Sequence, residues 1–356
     1  MSLPERWRFL VADLLTNAVQ GELTPDGSVT FERLVNGAGS IQISVRLDDA
    51  NILDGGSLID ITEPGKTAIY VERDGEIVFG GIIWTRRYNS SNRTMTLAGN
   101  EFWSYFSRRF VNYAGSWAGV DQLVIARSLI DVAQLDPAGN IGVVTGSETC
   151  GVLRDIEFKS NQLGRVADYI NDLSLMEDGF DFIIQCSYVA GVITKSFKLG
   201  YPHWGVSKPE AVLEYPGNIV DFGIEEDAAA AWNVGYGVGD GITTGMINQN
   251  ELNAGYPLLE TAVTTKDISD IALLDNLVFR AIYEFGPTNQ LTVASVFADE
   301  TPPVGSYLEG DNIRIRIDDP YRFSGGLDTM KRVLGISFQA GGSGPDVVGL
   351  TLGNPV

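Results

Sequence analysis

Ala68, Tyr70 and Glu72 alternate with Ile69, Val71 and Arg73, a period of two that predicts a strand, and Asp74-Gly75 then supplies a tight hairpin turn. Glu76 to Arg86 reads as the second strand, with Gly80-Gly81 in its middle, where a bulge or a close backbone approach is expected. Asn89-Ser90-Ser91-Asn92 is a polar turn, and Arg93 to Ala98 returns as a third strand. Phe102, Trp103, Tyr105 and Phe106 crowd the exit beside Arg108 and Arg109. Upstream, Arg6–Asp13, Val29–Val35 and Ile41–Leu47 alternate as short strands between turns that include Pro25-Asp26-Gly27 and Asn36-Gly37. Residues 1–117 are therefore expected to form an all-β barrel or sandwich.

The period then changes. Asp121 can cap a helix in which Leu123, Ala126, Ile130 and Ala133 recur at helical spacing, and Pro137-Ala138-Gly139-Asn140 ends it. A second helix is expected after Ser160, striped by Leu163, Val166, Ala167, Ile170 and Leu173. Phe180–Cys186 and Val192–Leu199 read as a hairpin around Ala190-Gly191, so residues 118–210 make a small α+β insertion. Residues 211–288 connect onward through strands at Leu213–Ile224 and Trp232–Val238, a polar excursion at Met246–Pro257 and a helix over Ser269–Glu284.

Residues 289–356 are β again, and they echo the first meander. A strand at Asn312–Asp318, a polar turn, a strand at Lys331–Phe338, a Gly-rich turn and a final strand follow the order seen at 68–100. Thr96-Leu97-Ala98-Gly99-Asn100 compares with Thr351-Leu352-Gly353-Asn354. The expected fold class is mainly β: two similar β-barrel modules plus a small α+β domain.

The first meander, with its "DG" turn, "FGG" strand and "TLAG" strand, resembles the N-terminal signature of phage tail proteins. More narrowly, the chain is similar to minor tail, or baseplate hub, proteins of long non-contractile-tailed phages of actinobacteria. Phe102–Tyr105, the stretch DQLVIARSLI, the stretch LEYPGNIVDF and the C-terminal Glu309-Gly310-Asp311 fit that pattern in order. The resemblance implies a hub-like fold, no enzymatic activity and no cofactor. It implies a homo-oligomer, a trimer, closing the tail tube of the virion and meeting distal tail, tail-tube, tape-measure and fibre or spike proteins. Two similar barrels per chain would let a trimer face a six-fold tube. Synthesis would take place in the bacterial host cytoplasm.

Charge sharpens this picture. With 46 acidic against 25 basic residues the net charge is −21. Wrapping nucleic acid needs a basic surface, so stable DNA binding is not expected, whereas DNA in transit past an acidic wall is. No apolar run approaches the ~20 residues of a membrane helix, and the start lacks a signal-peptide pattern. Cys150 and Cys186 stand in no CxxC; Cys186 reads as core.

Candidate chemistry is thin. His203, in Tyr201-Pro202-His203-Trp204-Gly205, is the sole histidine, and no GxSxG elbow accompanies it. Gly235, Gly237, Gly239 and Gly241 mimic a phosphate loop, yet no helix follows as one requires; close backbone approach or a pliable loop explains them better. Carboxylates cluster at Asp48-Asp49, Glu225-Glu226-Asp227 and Asp318-Asp319, where acidic turns are the commoner use. Asp48, Asp49, Asn51 and Asp54 before Gly55-Gly56 faintly suggest calcium but depart from EF-hand spacing, so no metal site is assigned. Two rival readings remain: a tail-associated cell-wall hydrolase, and a receptor- or carbohydrate-binding module with Trp117, Trp204 and Trp232 as platforms.

The interface candidates are Trp84, Arg86, Arg87, Phe102, Trp103, Tyr105, Arg108 and Arg109, because aromatics and arginine are enriched where subunits meet. The pore-lining candidates are Glu225, Glu226, Asp227 and Asp240, beside a glycine-rich stretch that could move.

Overall fold

A computed structural model describes residues 6–47, 58–158, 163–229, 231–265, 271–283, 288–340 and 346–355. The chain divides into two compact units, Met1–Asp221 with Val293–Val356, and Phe222–Thr292.

The first unit begins with β1 (Trp7–Asp13), β2 (Val19–Leu23), β3 (Val29–Leu34), β4 (Ser40–Arg46), β5 (Thr67–Arg73), β6 (Glu76–Asn89) and β7 (Thr94–Glu101). The β5–β6–β7 meander forms as its turn chemistry dictates. Asp74 and Gly75 take φ of 52° and 86°, the left-handed pair of a tight hairpin turn. Gly80 admits a close approach rather than a bulge: a Cβ there would land on the Cys186 Sγ and 3.1 Å from the Phe102 ring. β6 shifts register on either side of it, at Val78 against β5 and between Ile83 and Thr85 against β7. β2 carries too little apolar alternation to be read from sequence, yet it pairs antiparallel with β1 at the sheet edge.

Then come α1 (Trp103–Phe106), β8 (Gly115–Asp121), α2 (Gln122–Ala133), β9 (Val143–Thr145), β10 (Leu153–Phe158), α3 (Val166–Ser174), β11 (Asp181–Val189) and β12 (Val192–Gly200). Asp121 caps α2 as expected, its carboxylate accepting from the Leu123 amide at 2.9 Å and also from the Cys150 and Gly151 amides. Burial opposes ionisation there, but those amide donors hold the carboxyl below its usual range. The β11–β12 hairpin turns at Ala190-Gly191, both at positive φ. β8 pairs with β10, and β9 joins the hairpin in a three-stranded sheet. The start expected for α3 after Ser160 falls partly outside the described residues, and Leu163 is exposed ahead of the helix.

β13 (Ser207–Tyr215) and β14 (Ile219–Asp227) replace the single strand expected at 213–224, because Pro216-Gly217-Asn218 interrupts it. The second unit holds β15 (Val234–Val238), β16 (Thr243–Ile247), α4 (Gln249–Asn253), β17 (Glu260–Thr264) and α5 (Ile271–Tyr283). Its sheet runs β16-β15-β17, with α5 packed on one face. Gly235 and Gly237 make that packing possible, since a Cβ on either would collide with Val278, Ile282 or Leu274. Gly235 and Gly237 are thus a seat for α5, and Gly241, at φ 70°, belongs to the β15–β16 turn.

β18 (Thr288–Phe297), β19 (Asn312–Ile317), β20 (Leu327–Ala340) and β21 (Val347–Gly353) complete the chain. The fold is mainly β, with 49% of residues in strands and 14% in helices, and among the described residues no sheet closes. The strands expected in two barrels lie in one open sheet, ordered β18-β21-β20-β3-β4-β7-β6-β5-β1-β2, with β19 on β20 and β13 on β19. The cause is β20: Leu327–Arg332 pairs with β19, while Gly335–Ala340 pairs with β3 and so joins the late strands to the early ones.

Candidate functional site

The core of the first unit fixes where the interface candidates stand. Phe102 and Trp103 are 0% and 4% exposed. Trp103 lies parallel to Phe197, 6.0 Å between centroids, and touches Phe182, while Phe102 meets Tyr70. Burial of such rings stabilises by roughly 1.5–3 kcal/mol each, so these two side chains serve the protomer's own core and offer no surface. The others cluster beside them. Arg108 stacks on Trp84 at 4.0 Å, and the Trp84 indole donates to the Ser104 hydroxyl at 2.8 Å. Arg109 lies over Tyr105 and donates to the Ala133 carbonyl at 3.0 Å. Tyr105 donates to the Gly139 carbonyl, and its hydroxyl is shifted up by burial. Arg86 donates to the Ile59 carbonyl and the Thr62 hydroxyl. Arg87 and Arg108 are exposed.

Below this surface, an open cleft of about 200 Å³ runs between the α1 exit and α2, lined by Arg108, Arg109, Tyr113, Leu129, Val132 and Val166 among others. The Arg109 Nε and the Tyr113 hydroxyl are buried without a hydrogen-bond partner.

The pore-lining candidates fall in the second unit. Glu225, Glu226 and Asp227 end β14, and Asp240 is exposed in the β15–β16 hairpin. The possible calcium ligands Asp48, Asp49, Asn51 and Asp54 lie outside the described residues. Among the described residues no group of three or more His, Cys, Asp or Glu side chains could hold a metal ion.

Sequence reasoning missed a buried polar junction. Arg332 of β20 pairs with Asp181 of β11 and donates to the Trp204 and Gly310 carbonyls. Asp181 also accepts from the Trp204 amide at 2.7 Å and from Asn36 at 2.6 Å. Arg33 pairs with Glu309 at 2.8 Å. Asp311 accepts from the Val206 and Leu308 amides and pairs with Lys208. Gly310, at φ 95°, sits where a Cβ would strike Trp204. Each member of Glu309-Gly310-Asp311 thus has a structural task, and so has Trp204, one of the proposed platforms. His203 is half-buried in the same turn. The only signal available beforehand was the motif itself, since partners more than a hundred residues away cannot be read from spacing.

Burial shifts three further groups. Burial pushes the Glu101 carboxyl up to about 8, against amide donation from Gly39 and with Glu309 adding to the rise. Burial lowers Lys195 to about 8; it lies over the Phe102 ring at 4.7 Å and donates to the Ile141 carbonyl. Cys186, pushed up to about 12 by burial, is an unreactive core thiol.

Known structures share the fold of this chain. No protein-family model and no curated protein matches the sequence. The tail protein from Neisseria meningitidis is similar at 15% identity and a TM-score of 0.62, over 98% of this chain and 96% of that one. The 43 kDa tail protein of prophage MuSo2 from Shewanella oneidensis is similar at 12% identity and a TM-score of 0.62, over 98% of both. The Francisella PdpA–VgrG complex is similar at 7% identity and a TM-score of 0.56, over 99% of this chain and 53% of that one. The chain therefore has the fold of phage tail proteins. No helix among the described residues is long and apolar enough to cross a membrane.

Proposed function

We propose that the chain is a structural, non-catalytic component of a phage tail tip: a hub that self-associates as a trimeric ring, closes the tail tube, anchors fibres or a spike and opens for DNA ejection. The observation that carries this reading is the end-to-end likeness to two tail proteins, each matched over 98% of this chain and nearly all of its own length. The sequence resemblance narrows it to a long non-contractile tail. The Trp84–Arg87 and Arg108–Arg109 surface is the proposed contact between copies, and Glu225, Glu226, Asp227 and Asp240 are the proposed acidic lining past which DNA moves.

The test is to disrupt the gene in the phage, purify particles and look for the chain by mass spectrometry and labelled imaging. Its presence at the tail tip, with tails defective in its absence, supports the reading; its absence from finished particles overturns it. A native mass three times 38.6 kDa supports the trimer. Reversing Glu225, Glu226 and Asp227 to lysine is expected to leave adsorption intact and slow ejection; unchanged ejection would remove the lining assignment alone.

A further inference from the structure

The β19–β20 connection is longer than a tight hairpin turn. Where the first meander turns in two residues, 318–326 forms a longer loop with Tyr321 at 99% exposure. The loop is held, not loose. The Asp319 carboxylate accepts the Tyr321 amide at 2.9 Å, its carbonyl accepts the Phe323 amide at 2.7 Å, and the Gly326 amide donates to Phe323 at 3.0 Å. Arg322, the neighbouring cation, is turned back over the Phe323 ring at 5.6 Å. An aromatic side chain is thus presented on an ordered tip with Asp318 and Asp319 behind it, and ordering it beforehand lowers the entropic cost of docking.

The Arg108–Arg109 cleft is its chemical complement. In a chain of net charge −21, this cleft is lined by two arginines and no carboxylate. Its floor is apolar at Leu129 and Val166, which suits a ring. Arg109 Nε and Tyr113 Oη are closed off from the surface, so the exposed Arg108 guanidinium is the donor that an incoming phenol or carboxylate oxygen would meet.

We propose that Tyr321 of one copy seats in the Arg108–Arg109 cleft of a second copy of this chain, with Asp318 facing Arg108. Knob and cleft are different patches, so the contact is head-to-tail and builds a ring wherever its rotation closes. This rests on the self-association in the proposed function and supplies one of its contacts.

The full-length protein tests it by sedimentation over a concentration series. Tyr321→Ala is expected to weaken self-association about tenfold or more, as removal of a buried aromatic anchor does. Asp318→Arg and Arg108→Asp should each weaken it, and the two together should restore it in part. Because Arg108 also stacks on Trp84, a second pair avoids it: Tyr321→Cys with Asn112→Cys, both at exposed positions, should give a disulfide between copies. Unchanged association in Tyr321→Ala, a monomer at every concentration, or a disulfide only to a different tail protein would overturn the contact. Particles that carry the chain at the tail tip with Tyr321→Ala associating normally would overturn this contact while leaving the tail role standing. Absence from particles would instead sink the tail role.

Discussion

β5–β6–β7 and β19–β20–β21 are the same topological motif put to opposite uses. Each centres on a 14-residue strand whose first half pairs with the strand before and whose second half pairs with the strand after. Each has a register shift near the crossover, at Trp84 in β6 and at Leu334 in β20. With those shifts aligned, Gly80 falls on Met330, Ile82 on Arg332 and Glu101 on Asn354. In the first meander β5 is buried at all seven positions, and β11 lies against β6. In the second, β19 buries Ile313, Ile315 and Ile317, while its alternate positions and the half-exposed start of β20 carry a surface ladder of Arg314, Arg316 and Asp328 with Glu214. Topology is repeated; the environment is not. What covers a strand, more than the strand's own pattern, decides which residues it needs.

The sharpest break of this comparison is at the aligned pair Ile82 and Arg332. Arg332→Met strands the Asp181 carboxylate in a buried site, and such losses typically cost about 3–5 kcal/mol. Ile82→Val removes one methyl and should cost only about 0.5–1.5 kcal/mol. Chemical denaturation of the two variants measures the gap. Adding Asp181→Asn to Arg332→Met should recover part of the loss, and an equal loss in the double variant would mean the pair is not what anchors the junction.

Next is Gly80 against Met330. Gly80→Val drives a side chain into Cys186 and Phe102, and overpacking of this kind costs about 1–3 kcal/mol or more. Met330→Val, in a half-exposed position, should stay within about 0.5 kcal/mol. Melting temperatures that fall equally would show the two meanders to be equally covered.

These contrasts mark what could be read beforehand. Turn residues and period-two alternation predicted β5, β6 and β7 closely, the Asp121 cap located α2, and Ala190-Gly191 located the β11–β12 turn. At Gly80-Gly81 the sequence predicts a bulge or a close backbone approach; Gly81 meets the Asn100 backbone, whereas Gly80 meets the side chains of Cys186 and Phe102, partners that spacing does not reveal. The TLAGN and TLGN echo was misleading in register. Counted from the strand shifts, Leu97 matches Leu350 and not Leu352, so the shared Thr-Leu stands two residues out of step and the shared Gly-Asn one. Closure into barrels was over-read, because alternation reports that a strand has a buried face and not which strand lies beside it. Of the interface candidates, the aromatic pair Phe102–Trp103 is core; sequence cannot tell a buried aromatic from a contact one without knowing that β11 and β12 cover it.

A pH dependence should separate Glu101 from its counterpart Asn354. Burial raises the folded Glu101 carboxyl from 4.5 to about 8, so the native state holds a proton that the unfolded chain releases. Its contribution is fully present below pH 4.5 and is lost as pH rises through about 8. Glu101→Gln can still accept the Gly39 amide and has no proton to lose. Its melting temperature, relative to the parent, should rise by a few degrees between pH 5 and pH 8. Parallel curves would mean that Glu101 is ionised in the native state. Asn354, exposed and bonded to Lys331 at 3.2 Å, should show no such effect on substitution by alanine.

The smallest expected effect belongs to the surface ladder. Arg314 grips Asp328 through two hydrogen bonds of 2.6 and 2.8 Å, Arg316 adds a third contact at 3.3 Å, and Glu214 holds Arg316 from the other side. The hydrogen bond from Arg314 holds the Asp328 carboxyl below its usual range, so any contribution is present above the unfolded carboxylate range and fades as pH falls through the folded one. All four side chains are well exposed, and exposed ion pairs are screened by water and by salt with a Debye length of ~8 Å at physiological strength. Asp328→Asn should therefore leave the melting temperature unchanged at physiological salt and lower it slightly at low salt, measured by scanning calorimetry at both. Its aligned partner, Val78, is half-buried and works by packing, so Val78→Ala should be indifferent to salt. A loss in Asp328→Asn that rivals Arg332→Met and persists in salt would mean that the outer strands of the second meander are covered after all, by a partner that the isolated protomer does not show.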